Sequence, residues 1–75
     1  HQISEPVVYP SLFDSWIKIH YPEQRFRYTL YDEVGRKLIE GEGESSLELH
    51  LEYLYSGNYV LEVAEHRFKL VKISN

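Results

Sequence analysis

The side chains that could catalyse a reaction or bind a metal ion are thinly spread along this chain. It has twelve acidic residues, four histidines and no cysteine. An active site needs a nucleophile beside a base, a carboxylate pair in a cleft or a cluster of metal ligands. No two of the histidines stand at a spacing typical of metal ligands. They are His1, His20, His50 and His66.

His50 has the most suggestive neighbours, because it alternates with Glu48 and Glu52. In a strand these three side chains share one face, and a solvated face is a commoner role for such a pattern than a metal site. Asp14 and Asp32 fall in turns, where aspartate accepts hydrogen bonds from local backbone N–H groups. We therefore predict no catalytic residue, no bound metal and no cofactor.

The length and the net charge of the chain limit the number of domains and the kinds of partner it can have. A chain of 75 residues makes one domain, and its formal net charge of −4 argues against nucleic acid as a partner. No apolar run approaches the roughly 20 residues that span a bilayer, and no signal peptide is visible. Because the chain opens without methionine, we expect a part of a larger protein, with residues 1–5 as a linker or expression remnant and residues 6–75 as the folded domain.

Alternating apolar and polar residues predict strands in the first part of the chain. One is expected between two prolines, over residues 6–10, and two more over residues 15–20 and 25–31. Residues 21–24 break the alternation and are predicted to connect two strands. The predicted inward rows contain Ile17, Ile19, Phe26, Tyr28 and Leu30.

A hairpin is predicted next, at Asp32-Glu33-Val34-Gly35, which is typical of a type I turn followed by a left-handed glycine. Residues 36–40 form the returning strand, and residues 41–44, with two glycines, are predicted to be a loop. Residues 45–55 fit a helix as well as a strand, because their leucines stand at both spacings. We favour a strand over residues 46–52, since every neighbouring segment is β.

Two more strands are predicted at the end of the chain, and the fold is expected to depend on the first of them. This strand follows a turn at Gly57 and has an inward row of three residues. The final strand covers residues 67–73 and follows a turn at Glu65-His66. A leucine, then glycine, then tyrosine entering a strand is typical of a tyrosine corner, in which the hydroxyl bonds back to the backbone. The inward row is Tyr59, Leu61 and Val63.

Six or seven short strands with turns between them predict an all-β fold. The fold class expected from this pattern is a small antiparallel Ig-like, Greek-key β-sandwich of about seven short strands.

Three motifs in order resemble the type A C-terminal sorting domain of the type IX secretion system (the Por secretion system tail). Val8-Tyr9-Pro10 resembles the opening motif of that family, Tyr31-Asp32-Glu33-Val34-Gly35-Arg36 its central turn, and Leu54, Gly57 and Tyr59 its third motif. The final strand also resembles the family's closing strand. The opening motif departs from the family pattern at Ser11 and Leu12.

The resemblance implies a function. Such a domain is a folded export signal that binds type IX translocon and sortase proteins, passes through the periplasm, and is then removed or retained at the cell surface. It has no direct membrane span, and a dimer formed through edge strands is also expected. The residues expected to be recognised are Tyr31, Asp32, Gly35, Arg36, Phe68, Lys69, Leu70, Val71, Lys72 and Ile73. The residues expected to hold the structural motifs are Val8, Tyr9, Pro10, Leu54, Gly57 and Tyr59.

Two other functions use the same core. One is a generic extracellular Ig-like spacer or adhesion module, whose last strand would carry no signal. The other is a carbohydrate-binding module, for which Trp16 and the tyrosines would have to form an exposed stacking platform. Binding of glycans by the wild type but not by Trp16→Ala would identify the latter.

Overall fold

The computed structural model describes residues 5–74, which form six strands and no helix. No helix in this part of the chain is therefore long and apolar enough to cross a membrane. The strands are β1 (Val7–Tyr9), β2 (Leu12–Phe13), β3 (Trp16–Asp32), β4 (Lys37–His50), β5 (Gly57–Val63) and β6 (His66–Lys72). The all-β prediction is confirmed, but the expectation of about seven short strands is wrong for β3 and β4, which have 17 and 14 residues.

β3 organises the sheet because it has partners along both edges. β4 pairs antiparallel with almost its whole length, while β1 pairs with its first half and β5 with its second half. β5 pairs with β6, and β6 pairs with β2. The strand order is therefore β1-β3-β5-β6-β2, with β4 beside β3.

The two ends of this order are consecutive in the chain, so the sheet nearly closes into a barrel. β1 lies antiparallel to β3, and after the cis Tyr9-Pro10 peptide β2 lies parallel to β6. The parallel pair corrects the prediction of a purely antiparallel sheet. Sequence periodicity indicates that a segment is a strand, but it does not set the direction of its partner.

The long β3–β4 ribbon bends in its middle. A straight strand of 17 residues would measure on the order of 55 Å, whereas the longest extent of the molecule is 40 Å. The register shifts between Tyr21 and Arg25, and Glu23 on β3 and Ser45 on β4 both have positive φ at this level. The bend lets the two halves of one ribbon face a common core.

The prediction of a connection over residues 21–24 is therefore wrong. These residues form the bulge of β3, and Pro22, which has no N–H to donate, lies where the regular ladder is interrupted. Alternation is lost at a bulge because an extra residue reverses the order of the two faces. A bulge and a loop thus look alike in the sequence.

The prediction of a loop over residues 41–44 is also wrong, because β4 continues through them. A Cβ on Gly41 would lie 2.6 Å from the Tyr28 hydroxyl, and one on Gly43 would lie 2.7 Å from Cζ of Phe26. The rings of the neighbouring strand therefore occupy the space that side chains on β4 would fill. Both glycines therefore lie within the strand, and an aromatic ring of β3 packs over each of them.

Other sequence expectations hold with shifted boundaries. The ambiguous segment is a strand as far as His50, and Leu51 then joins the turn, where its N–H donates to the Ser15 carbonyl over 2.7 Å. The final hairpin turns at Ala64 and Glu65, both with positive φ, rather than at residues 65–66. Two left-handed residues are typical of the tight turn that suits the twist of a hairpin.

The core lies between the two halves of the bent sheet. The predicted inward residues Ile17, Ile19 and Leu30 are completely buried, and Phe26 is nearly so. Tyr28, by contrast, is half-buried and packs at the margin. The rest of the buried cluster comes from β2, the turn after β4, and the last two strands: Phe13, Leu51, Leu54, Tyr59, Leu61, Val63 and Leu70.

Candidate functional site

The turn between β3 and β4 is held by one carboxylate. Oδ1 of Asp32 accepts hydrogen bonds from the backbone N–H groups of Val34 (3.1 Å) and Arg36 (2.9 Å). Its Oδ2 accepts one from Nε of Arg36, also over 2.9 Å. The Gly35 N–H donates to the Asp32 carbonyl, and Gly35 has a φ of 91°. The predicted turn with a left-handed glycine is therefore confirmed.

These contacts also set the charge of the turn. The backbone N–H of Arg36, followed by its guanidinium, holds the pKa of Asp32 below its usual range. The carboxylate is thus ionised at neutral pH and is engaged within the turn. The Arg36 side chain is 78% exposed, so the turn presents this cation to solvent beside the exposed Glu33 and Val34.

The six recognition residues predicted on the last strand divide between two faces. Lys69 and Ile73 are exposed and Val71 is half-buried, and these three share the outer face. Phe68, Leu70 and Lys72 point inward. Only the outer row can contact a partner while the domain stays folded.

The burial of Lys72 is the less expected result, since only 2% of this residue is exposed. Its ammonium group donates a hydrogen bond to the Ser74 carbonyl, which supplies a polar partner at the end of the barrel. Lys69 is the solvated lysine of the pair. The two lysines point to opposite faces because they stand three residues apart in a strand.

The strand register brings the turn region and the last strand together. Tyr31 pairs with Val60 on β5, and Val60 pairs with Lys69 on β6. Residues paired across strands share a face, so these three lie side by side. A groove with a volume of about 560 Å³ lies here, and it is lined by Asp32, Glu33 and Gly35 as well as by β5 and β6.

We call the outward surface beside this groove the docking face. It consists of Tyr31, Val60, Arg67, Lys69, Val71 and Ile73. Its aliphatic part continues onto β2, because Leu12 pairs with Val71 and is 62% exposed. The docking face therefore combines an apolar area with two cations, and the carboxylate of Glu62, which pairs with Arg67, borders it. The chain as a whole has a formal net charge of −4.

Arg67 and Tyr31 are positioned by each other and by Glu62. The Arg67 guanidinium carbon lies 5.9 Å from the centre of the Tyr31 ring, within the range of a cation–π interaction. The Tyr31 hydroxyl donates to Oε1 of Glu62 over 3.3 Å. Val60 and Arg67 were not among the recognition residues predicted from the sequence. The alternation within each strand does predict that both side chains point outward. Only the strand register shows that their strands are neighbours.

The tyrosine corner is present behind this face. The Tyr59 hydroxyl donates to the Tyr55 carbonyl over 2.6 Å, and the Tyr59 ring is almost fully buried. Burial, and then the negative charges of Asp32 and Glu33, raise the pKa of the Tyr59 hydroxyl. The group therefore keeps its proton and remains a donor. Gly57 has a φ of 146°, a conformation that glycine adopts readily because it has no Cβ.

The opening and third motifs serve the fold. Val8 packs against the core, Tyr9 is partly exposed and Pro10 follows the cis peptide between β1 and β2. Leu54 is buried, and its N–H donates to the Leu51 carbonyl in the turn after β4.

The histidines do not converge with carboxylates into a metal site within residues 5–74. Nε2 of His50 lies 3.4 Å from Oε2 of Glu48 on an exposed strand face, and Nδ1 of His66 lies 3.1 Å from the Ala64 carbonyl. His1 lies outside the described residues. Asp14 accepts a hydrogen bond from the Ser74 hydroxyl, whereas the sequence predicted local backbone donors for it. Trp16 is 40% exposed at the start of β3.

Comparison of the chain with protein-family models, with curated proteins and with solved structures finds no match.

Proposed function

We propose that this chain is a folded sorting domain, which directs its parent protein across the outer membrane through the type IX secretion machinery. The docking face would bind translocon and sortase proteins, and the domain would then be removed or retained at the cell surface. The three ordered motifs around Pro10, Asp32 and Tyr59 support this proposal. The observation that carries it is the register that joins Tyr31, Val60 and Lys69.

The docking face has the composition of a protein-binding surface. Its centre is apolar, at Val60, Val71 and Ile73, and its cations Arg67 and Lys69 stand beside that centre. Apolar groups contribute to affinity through burial, and charges contribute mainly to orientation and to the rate of association. A partner with an apolar surface bordered by carboxylates would complement it.

We also assign the nearly closed sheet to the Ig-like sandwiches. Three features support this assignment. The halves of the bent β3–β4 ribbon face each other, the first part of the chain pairs with β3 through β1 and then with β6 through β2, and Tyr59 forms a tyrosine corner. The alternative function of such a sandwich, a spacer in an extracellular protein, would not require the docking face.

An export experiment separates these two functions. Residues 5–75, fused to a reporter with a signal peptide, should reach the surface or the medium of a cell with type IX secretion. Replacing Arg67 and Lys69 by glutamine should leave the reporter in the periplasm, because both cations of the docking face are lost. The matched control replaces Lys18 and Arg25, which lie on β3 away from this face, and should export normally.

The purified variants must first show the same far-UV circular dichroism and melting temperature as the wild type, so that a folding defect is not mistaken for lost recognition. Equal export of both double variants would refute recognition through the docking face. A wild-type fusion that never leaves the periplasm would refute the sorting function and favour the spacer.

A further inference from the structure

β4 has a strand partner along one edge only. β3 pairs with it from His50 to Lys37, and no other strand within residues 5–74 pairs with it. An open edge presents alternate N–H and C=O groups to any extended segment that can lie beside it. At 14 residues, β4 is longer than most strands of globular proteins. It therefore offers an extensive set of backbone partners.

The outer face of β4 is acidic. It carries four exposed glutamates, three of which pair across from basic residues of β3, on the side away from the open edge. Nη1 of Arg27 contacts Oε2 of Glu42 over 3.0 Å, for example. The fourth, Glu40, pairs with Thr29 and contacts Lys37 of β4 itself. A strand added at the open edge would place its own outward side chains beside the same row. The row consists of Glu40, Glu42, Glu44 and Glu48.

The inner face of β4 is apolar and aromatic. At Gly41 and Gly43 the rings of Tyr28 and Phe26 reach across the strand, so aromatic atoms take the place of β4 side chains there. Further along, half-buried leucines continue this row to the end of the strand: Leu47 and Leu49. A strand added beside β4 would therefore place one row of its side chains against carboxylates and the other against apolar groups.

We propose that the open edge of β4 binds an extended peptide segment in which basic and apolar side chains alternate, by adding it as a further strand. The basic side chains would face the glutamate row, and the apolar ones would face the rings of Phe26 and Tyr28. A second copy of this chain does not fit through the same edge, because antiparallel pairing of two β4 strands would set one glutamate row beside the other. The occupant is therefore a different chain, and this proposal does not depend on the sorting function.

The proposal is tested with the whole chain and a labelled synthetic peptide of about twelve residues, the length that β4 can accommodate, in which lysine and valine alternate. Fluorescence anisotropy should detect binding, and amides along β4 should become protected from hydrogen exchange. A peptide of the same composition, with its lysines and valines in two blocks, should bind at least about tenfold more weakly, because it cannot direct one residue type to each face.

Two controls separate strand addition from simple charge attraction. Two further peptides are N-methylated at alternate residues, one at the odd and the other at the even positions, and both keep every charge. One of them should lose binding, because methylation removes the N–H donors that face β4. Glu44→Lys should weaken binding by at least about tenfold. Glu5→Lys makes the same charge change at an exposed residue before β1, on the other side of β3, and should bind like the wild type.

Binding by both methylated peptides, equal binding by the Glu44→Lys and Glu5→Lys variants, or the absence of any binding by the alternating peptide would each overturn the proposal. Unchanged melting temperatures in the two variants ensure that the comparison is made between folded proteins.

Discussion

At the scale of single residues, two side chains hold the regions around the docking face through contacts with the backbone. Asp32 uses both carboxylate oxygens within its own turn, and Tyr59 uses its hydroxyl to hold the connection from β4 to β5. Each makes a specific contact that its sequence motif predicts. Because the two residues pair across β3 and β5, they also fix the turn and the corner relative to each other.

The hydroxyl and the ring of Tyr59 should make separable contributions to stability. Tyr59→Phe removes only the bond to the Tyr55 carbonyl and should lower the free energy of unfolding by about 1 kcal/mol. Tyr59→Ala also removes a buried ring and should cost about 3–5 kcal/mol. Urea unfolding measures both. Tyr55→Phe is the matched control, because the Tyr55 side chain is 79% exposed and only its backbone carbonyl accepts the bond. An equal loss in Tyr55→Phe and Tyr59→Phe would contradict this assignment.

At the scale of elements, the β3–β4 ribbon is a complementary pair of strands rather than two independent ones. The residues opposite Gly41 and Gly43 are Tyr28 and Phe26, so each position without a side chain faces a large ring. A sequence with two nearby glycines can continue as a strand when a neighbouring strand supplies the missing packing.

This complementarity predicts the effect of a single methyl group. Gly43→Ala would place a Cβ about 2.7 Å from Cζ of the buried Phe26, and overpacking of this kind should cost about 1–3 kcal/mol. The cost should be smaller in a Phe26→Leu background, where the ring is absent, with a coupling energy of at least about 0.5 kcal/mol in the double-mutant cycle.

Urea unfolding of the four proteins in the cycle gives this coupling energy. Ser46→Ala, on the exposed face of the same strand, controls for changes in strand propensity. If Gly43→Ala costs the same with and without the Phe26 ring, the glycine is not required by ring packing.

At the scale of the whole molecule, contacts between β2 and β6 close the fold. The N–H of Val71 donates to the Ser11 carbonyl (2.8 Å) and that of Ile73 to the Phe13 carbonyl (2.9 Å). Phe13, which is completely buried, lies at this junction. The final strand is therefore an integral part of the nearly closed sheet.

Deleting residues 72–75 should therefore destabilise the domain. Loss of the Phe13–Lys72 pairing and of the Ile73 hydrogen bond should expose Phe13 and cost about 2–3 kcal/mol. For a domain of this size the melting temperature should fall by more than about 8 °C.

Differential scanning calorimetry measures this change. The control Ile73→Ser keeps the backbone bond and replaces a side chain that is 57% exposed, so it should melt within a few degrees of the wild type. A deletant that melts like the wild type would show that the β2–β6 junction does not contribute to stability.

Features that depend on near neighbours in the chain could be predicted from the sequence. Alternation places Ile17 and Ile19 inward because side chains point to opposite faces at a period of two. The turn at Asp32 and the corner at Tyr59 follow from contacts within four residues. Such contacts need only near neighbours in the chain, so a short motif can predict them.

Tertiary structure decided what depends on distant neighbours. Residues 21–24 and 41–44 look like loops in the sequence. The first contain a bulge inside β3, and the second continue β4 because they pair with β3 and its rings fill the space above the glycines. Lys69 points outward into solvent, whereas Lys72 points inward and is buried. Pairing of Tyr31, Val60 and Lys69 creates the docking face from three separate segments. Strand register sets these relations, and register is a property of pairs of strands, which periodicity within a single strand cannot specify.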